Sequence, residues 1–199
     1  MIPRQLLIAM IVLLLGALGL SIYALRMRGR VAQVTSSPED ARPVAPPVSG
    51  PTERVTLSVA WDDAGTLHEQ AATIPLPAAR QQRAEEILRA LLRLYQGTNS
   101  PHSIPSGSEL RAVYLVDADL AVIDLNSAFA NGHRSGVLEE ELTVASLIRT
   151  LTENIPGVLR VKILIDGKER DTLAGHADLT STYDVDAVNA LVTQMQSPQ

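Results

Sequence analysis

Leu6 to Leu25 is an uncharged, almost wholly apolar run, interrupted only by Gly16, Gly19, Ser21 and Tyr23. Twenty helical residues span about 30 Å, the thickness of a bilayer's hydrocarbon core. The run therefore reads as a transmembrane anchor over residues 1–30, with Arg4 before it and Arg26, Arg28 and Arg30 after it. A cleaved signal peptide fits less well, because no small-x-small site follows: the run ends Tyr23-Ala24-Leu25-Arg26. Residues 31–53 hold Pro38, Pro43, Pro46, Pro47 and Pro51 among serines and lose every apolar period, as a semi-extended linker does. Everything that can fold around a core lies beyond them, enough for one modest domain.

Charge and composition narrow what that domain can do. Four of the 17 basic residues sit in the first 30, so residues 31–199 carry 13 basic against 22 acidic residues, a net of −9. Such a surface repels phosphate backbones and excludes a nucleic-acid partner. The absence of cysteine excludes disulfides, zinc-thiolate sites and iron–sulfur clusters. At 3% aromatic residues, a base- or sugar-stacking surface is not expected. Nothing in the sequence calls for a cofactor or a metal.

Periodicity gives the elements. Val55 to Trp61 alternates like a half-buried strand, and a second extended stretch covers Thr66 to Leu76. Ala84, Ile87, Leu88, Leu91, Leu92 and Tyr95 recur at helical spacing and stop at Gly97. Val113–Val116 and Leu120–Leu125, joined by Asp117-Ala118-Asp119, predict a hairpin. Asn126 to Gly136 is expected to be irregular. A second helix is predicted from Val137 to Ile155, with Val144, Leu147, Ile148, Leu151 and Ile155 on one face. Val158 to Ile165 alternates, placing Leu159, Val161, Ile163 and Ile165 inward and Arg160 and Lys162 outward. Asp166-Gly167 then turns the chain into a short strand over Glu169–Leu173. Val185, Val188, Leu191 or Val192, and Met195 suggest a short amphipathic helix in the tail, 186–199. The expected architecture is α/β (α+β): a small mixed sheet with two helices on one face, over residues 54–185.

Three blocks carry a family resemblance. Val113-Tyr-Leu-Val-Asp-Ala-Asp-Leu-Ala-Val-Ile-Asp-Leu-Asn-Ser-Ala-Phe129, Glu141 to Asn154 and Val161-Lys-Ile-Leu-Ile-Asp-Gly-Lys168 resemble, in order, the GerMN domain of sporulation and spore germination proteins. The resemblance implies an extracytoplasmic domain on a membrane or lipid anchor, with a fold similar to ring-building motifs and no catalytic residues to carry over. This chain has one such block set rather than a tandem pair, and no cysteine for lipidation. The three arginines after the apolar run favour a cytoplasmic domain by the positive-inside rule. The imbalance is about one charge, and the resemblance outweighs it.

Several side chains are candidates for chemistry. Asp117, Asp119 and Asp124 cluster around one hairpin, although the first two suit turn geometry and Asp124 could cap the following segment. His133 and His176 each follow a glycine-containing stretch, and Asp178 is near enough to orient His176 or to brace a turn. Glu139, Glu140 and Glu141 suit the dipole of the second helix, with Ser135 or Gly136 as its cap. Arg160, Lys162, Lys168 and Arg170 make a basic cluster on an acidic domain, either a solvated strand face or a partner surface. The favoured reading is a non-enzymatic, membrane-tethered interaction or assembly module on the outer side of the cytoplasmic membrane. Its partners would be an envelope protein, another copy of itself or a cell-wall polymer. The alternatives are an envelope or cell-wall-modifying hydrolase using Asp124, His133 or His176, and a small-ligand site in the loop 126–136.

Overall fold

The computed structural model of the protein describes residues 50–77 and 79–196. The expected anchor and nearly all of the expected linker lie outside these residues. Among the described residues no helix is long and apolar enough to cross a membrane. In chain order the elements are β1 (Thr52–Trp61), β2 (Thr66–Pro75), α1 (Arg80–Tyr95), β3 (Leu110–Val116), β4 (Leu120–Leu125), α2 (Ser127–Asn131), α3 (Val137–Asn154), β5 (Arg160–Ile165), β6 (Tyr183–Asp184) and α4 (Val185–Gln196).

The strands form two sheets, where the sequence suggested one. β1 and β2 pair alone as an antiparallel hairpin, Thr52 opposite Pro75 and Trp61 opposite Thr66. The other sheet runs β3-β4-β5-β6, with β4 and β5 parallel and the other pairs antiparallel. The separation has a visible cause. The edge of β1 away from β2 is occupied by side chains of the helices. Ser58 N–H donates to Thr150 Oγ1 at 2.9 Å, and Thr56 N–H to Asn154 Oδ1 at 3.3 Å. Asn154 Nδ2 donates back to Thr56 O at 2.6 Å, and Ser146 Oγ to Ser58 O at 2.6 Å. Ala60 N–H reaches the Tyr95 hydroxyl at 2.8 Å, and burial pushes that phenol up to about 12. With its backbone groups satisfied this way, β1 has no edge left to offer a strand.

Both long helices are held by packing more than by their ends. α1 starts at Ala79 without a side-chain cap, and its periodic residues Ala84, Ile87, Leu88, Leu91, Leu92 and Tyr95 are all buried. Arg83 ties α1 to β1 through Glu53 at 2.6 Å and donates to Asn154 O at the end of α3. α3 is buried on several sides, with Leu142, Leu147, Ile148 and Leu151 at 1% exposure or less. The tail helix α4 packs onto the same body through Val185, Val188 and Val192.

Three local expectations change. Leu159 is 58% exposed, because Leu159 and Arg160 both donate N–H to Asp119 O, which breaks the alternation one residue before β5 begins. No strand forms over Glu169–Leu173: after the turn at Asp166 (φ 51°) and Gly167 (φ 72°) only isolated bridges remain, Ile165 with Lys168 and Thr172 with Asp178. The stretch 126–136 is not wholly irregular. It contains α2, capped by Asn126, whose side chain accepts from Phe129 N–H at 3.1 Å.

Leu88→Ala and Leu151→Ala should each cost about 2–5 kcal/mol, since both side chains are fully enclosed. Thr150→Val, which keeps the shape but strands the Ser58 N–H, should cost about 1–3 kcal/mol. Urea unfolding reads all three; a cost near zero for Thr150→Val would mean that β1 is held by packing alone.

Candidate functional site

The first turn of α3 does more than answer the helix dipole. Glu140 is fully buried, and its carboxylate gathers five donors. Oε2 accepts from the backbone N–H groups of Ala174, His176 and Ala177 at 2.9, 3.0 and 2.9 Å. Oε1 accepts from His176 Nδ1 at 3.0 Å and Gly136 N–H at 3.3 Å. Gly175, at φ 128°, supplies the backbone reversal that lets these N–H groups converge. Burial alone would push the carboxyl up, but the His176 ring and the three N–H donors of the 174–177 loop hold it down at about 2. Glu140 is an ionised anchor for the loop. Sequence reasoning placed Glu140 on the helix and missed this role, since its donors are backbone groups 34 to 37 residues away.

His176 is thus oriented by Glu140 and not by Asp178. Asp178 instead braces its own turn, accepting from Thr180 N–H at 2.8 Å and Thr180 Oγ1 at 2.6 Å, and is held at about 2, chiefly by that hydroxyl. Ser135 Oγ lies 3.5 Å from His176 Nδ1, the same nitrogen that Glu140 engages. In a nucleophile–base–carboxylate relay the nucleophile and the carboxylate address opposite nitrogens of the ring. This arrangement is a brace, not a relay.

His133 belongs to a second node that includes a residue the sequence did not single out, His102. The Thr143 hydroxyl stands 2.7 Å from His102 Nε2, 2.8 Å from His133 Nε2 and 2.9 Å from Glu139 O. Glu139 O can only accept, so the hydroxyl's single proton is shared between that carbonyl and at most one imidazole. His133 Nδ1 donates to Arg134 O at 2.7 Å, leaving Nε2 to accept, and burial holds this ring below the usual histidine range. His102 also meets a carboxylate, its Nδ1 lying 2.5 Å from Asp62 Oδ1. Both rings are buried and join the 98–108 loop and the α2–α3 connection to the second turn of α3. No sequence signal marked His102, which sits in a polar proline-containing loop.

The remaining candidates separate. Asp117 is a turn residue at φ 55°. Asp119 pairs with Arg160 at 3.0 Å. Asp124 is buried and, rather than capping the next segment, accepts from Gly167 N–H at 2.7 Å and Arg111 Nε at 3.1 Å. Lys162 pairs with Glu169 at 2.9 Å, and Arg170 reaches Asn131 Oδ1 at 2.7 Å, so the basic cluster is not one free patch. Lys168 is exposed on the turn. Among the described residues no group of three or more acidic or histidine side chains is placed to hold a metal.

Two surfaces remain uncommitted. The inner face of the four-stranded sheet, with Val113, Ile123, Val161 and Ile163, is sealed in the core. Its outer face is open along β3, whereas Asp124 is buried and the Lys162 side chain is 11% exposed. Tyr114, Val122 and Lys162 form one cross-strand row, and Val116, Leu120 and Arg160 the next. Tyr114 is 47% and Val116 40% exposed. The second surface is a groove of about 450 Å³ between α3, α4 and the 176–184 segment.

This fold and these blocks meet a known family. The family model described as "Germane: Sporulation and spore germination" matches residues 56–171. The chain belongs to that family. Its similar solved structures include the first GerMN domain of the sporulation protein GerM from Bacillus subtilis, 23% identical over 65% of this chain and 94% of that one, with a TM-score of 0.46. The tandem GerMN domains of the same protein are 20% identical over 66% of this chain, TM-score 0.49, and the match spans 45% of the tandem. A putative lipoprotein from Clostridium perfringens is 20% identical over 72% of this chain and 94% of that chain, TM-score 0.45. No curated protein matches. The Germane match ends before the His176 loop, β6 and α4.

Glu140 gives a pH test. Its pKa of about 2 lies below the ordinary 4.5, so its contribution is complete above about pH 5 and is lost as pH falls toward 2. Glu140→Gln should lower stability at neutral pH by about 2–4 kcal/mol and flatten the acid limb of the stability curve. An unchanged acid limb in urea titrations at several pH values would show that the loop is held by something else.

Proposed function

We propose that this Germane-family protein is a non-enzymatic, membrane-tethered interaction module whose domain lies outside the cytoplasm and docks an envelope protein. The apolar run Leu6–Leu25 supplies the tether, and family membership supports the extracytoplasmic side. The observation that carries the reading is the open sheet face. Its central rows set Tyr114, Val116, Leu120 and Val122 beside Arg160, apolar contact area edged by a cation. Arg160 is paired with Asp119, but both side chains are substantially exposed, so water screens the pair and it contributes little to stability. Arg160 can therefore exchange Asp119 for a partner's carboxylate at little cost. Aromatic and Arg side chains together on one exposed surface are the usual anchors of protein interfaces.

The hydrolase reading needs His133 or His176 to hold a nucleophile and a carboxylate on opposite ring nitrogens. His176 meets Ser135 and Glu140 on one nitrogen, and both nitrogens of His133 are engaged, so the geometry favours docking over catalysis.

A C-terminal alkaline phosphatase fusion should be active, and a cytoplasmic reporter at the same site inactive. In cells, a photo-crosslinker at Tyr114 should capture one envelope protein, and Tyr114→Glu with Arg160→Glu should abolish both the capture and the protein's cellular function while circular dichroism stays native. His176→Asn should leave both intact. Loss of function confined to His176→Asn, with the sheet-face variant behaving normally, would overturn the reading.

A further inference from the structure

The groove between α3 and α4 lies apart from the open sheet face, and most of its second wall comes from residues 176–191, beyond the Germane match. Its floor is apolar, built from Val144 on α3 and Val188 and Leu191 on α4. The residues facing it follow helical spacing on both sides: Glu141, Val144 and Ala145 on α3, and Asp184, Ala187, Val188 and Leu191 on the α4 side. Two walls of that spacing make a trough along the helices, the shape that receives an amphipathic segment. The volume falls within the range of about 300–1,000 Å³ typical of ligand-holding clefts.

The rim selects charge. Glu141, Asp178 and Asp184 line the groove, and no lysine or arginine does. Glu141 is half-buried and has no ion pair among the described residues. Asp184 caps α4 through Ala187 N–H at 3.1 Å, which keeps its carboxylate fixed at the groove's mouth. Tyr183, in the same wall, reports the field: burial pushes its phenol up to about 12, and Asp178, Glu141 and Glu140 push the same way. His176 adds its ring to the wall, with Nδ1 already committed to Glu140.

We infer that this groove binds a cationic amphipathic peptide segment of a partner protein, its apolar side chains on Val144, Val188 and Leu191 and its flanking Lys or Arg residues against Glu141, Asp178 and Asp184. The shape supplies the apolar contact, and the acidic rim disfavours acidic segments and steers basic ones. The inference deepens the interaction-module reading by adding a second docking surface and rests on it for its place in the cell.

The test uses the full chain in nanodiscs of neutral phosphatidylcholine and fluorescent helical peptides of about twelve residues. One peptide has leucines at i, i+3, i+4 and i+7 with lysine on the flanking positions, one has glutamine there, and one glutamate. The lysine peptide should bind at least about tenfold tighter than either other, with affinity falling as salt rises. Leu191→Lys and Glu141→Lys, both at partly exposed positions, should each weaken it by about tenfold, with an unchanged circular dichroism spectrum. Tyr114→Glu should leave it unaltered, so a groove that fails while the sheet face still crosslinks sinks this inference alone. Equal binding of the glutamine peptide, insensitivity to both groove variants, or full competition by spermine would overturn it.

Discussion

The structure depends on a helix taking the place of a strand. β1 leaves one edge open beside α3, and an open edge inside a core would strand a row of backbone groups. Ser146, Thr150 and Asn154 resolve this because of a coincidence of lengths. Four residues of helix rise about 6 Å, and two residues of strand about 6.8 Å, so side chains at i, i+4 and i+8 keep pace with alternate strand residues. Thr56 and Ser58 meet Asn154, Thr150 and Ser146 in antiparallel order, and Tyr95 of α1 completes the row at Ala60. Tyr95 in turn lies 2.5 Å from Ser146 Oγ, so both long helices are pinned to one strand by a single connected network. Once β1 is closed by helix side chains it cannot join the other sheet, and the two-sheet architecture follows.

This same device explains what the sequence could and could not reveal. The apolar faces of α1 and α3 were legible because Leu88, Leu91, Leu147 and Leu151 repeat at helical spacing and burial is what that repeat means. The strands β1 to β5 were legible to within a few residues for the same reason. Ser146, Thr150 and Asn154 fall outside the apolar set Val144, Leu147, Ile148, Leu151 and Ile155, yet Ser146 and Thr150 are fully buried. Hydropathy measures whether a side chain prefers water. It does not register that a hydroxyl can replace water for a particular backbone group 88 or 92 residues away. Leu159 fails in the opposite sense, an apolar residue turned outward by the way its N–H and that of Arg160 share one carbonyl.

The candidate site was legible as a set of residues but not as a set of relations. His176, His133, Asp124 and Asp178 were all singled out, and all four take part in long-range or turn-bracing contacts. Their partners were not foreseeable: Glu140 for His176, Thr143 and the unsuspected His102 for His133, and the Gly167 N–H for Asp124. Each carboxylate or imidazole is spent on a loop that has no secondary structure to hold it. In a domain with no cysteine, buried charge is one way to fasten a loop to the core, and it succeeds only when every lone pair finds a donor. Glu140, with five, meets that condition.

α3 is the common wall of all these arrangements, and this bears on what the groove can do. One side of the helix carries the ladder to β1, its first turn holds the 174–177 loop through Glu140, and another side faces α4 across the groove. The loop that forms part of the groove wall is therefore fixed from the core outward, by an ionised carboxylate that would be costly to release. α4 is seated by Val185, Val188 and Val192, and Gln196 Nε2 donates to Leu67 O at 2.8 Å near its end. A cleft whose two walls are each anchored in this way is organised before anything enters it. A segment docking there gives up its own freedom but asks little ordering of the domain, and affinity depends more on that saving than on area alone.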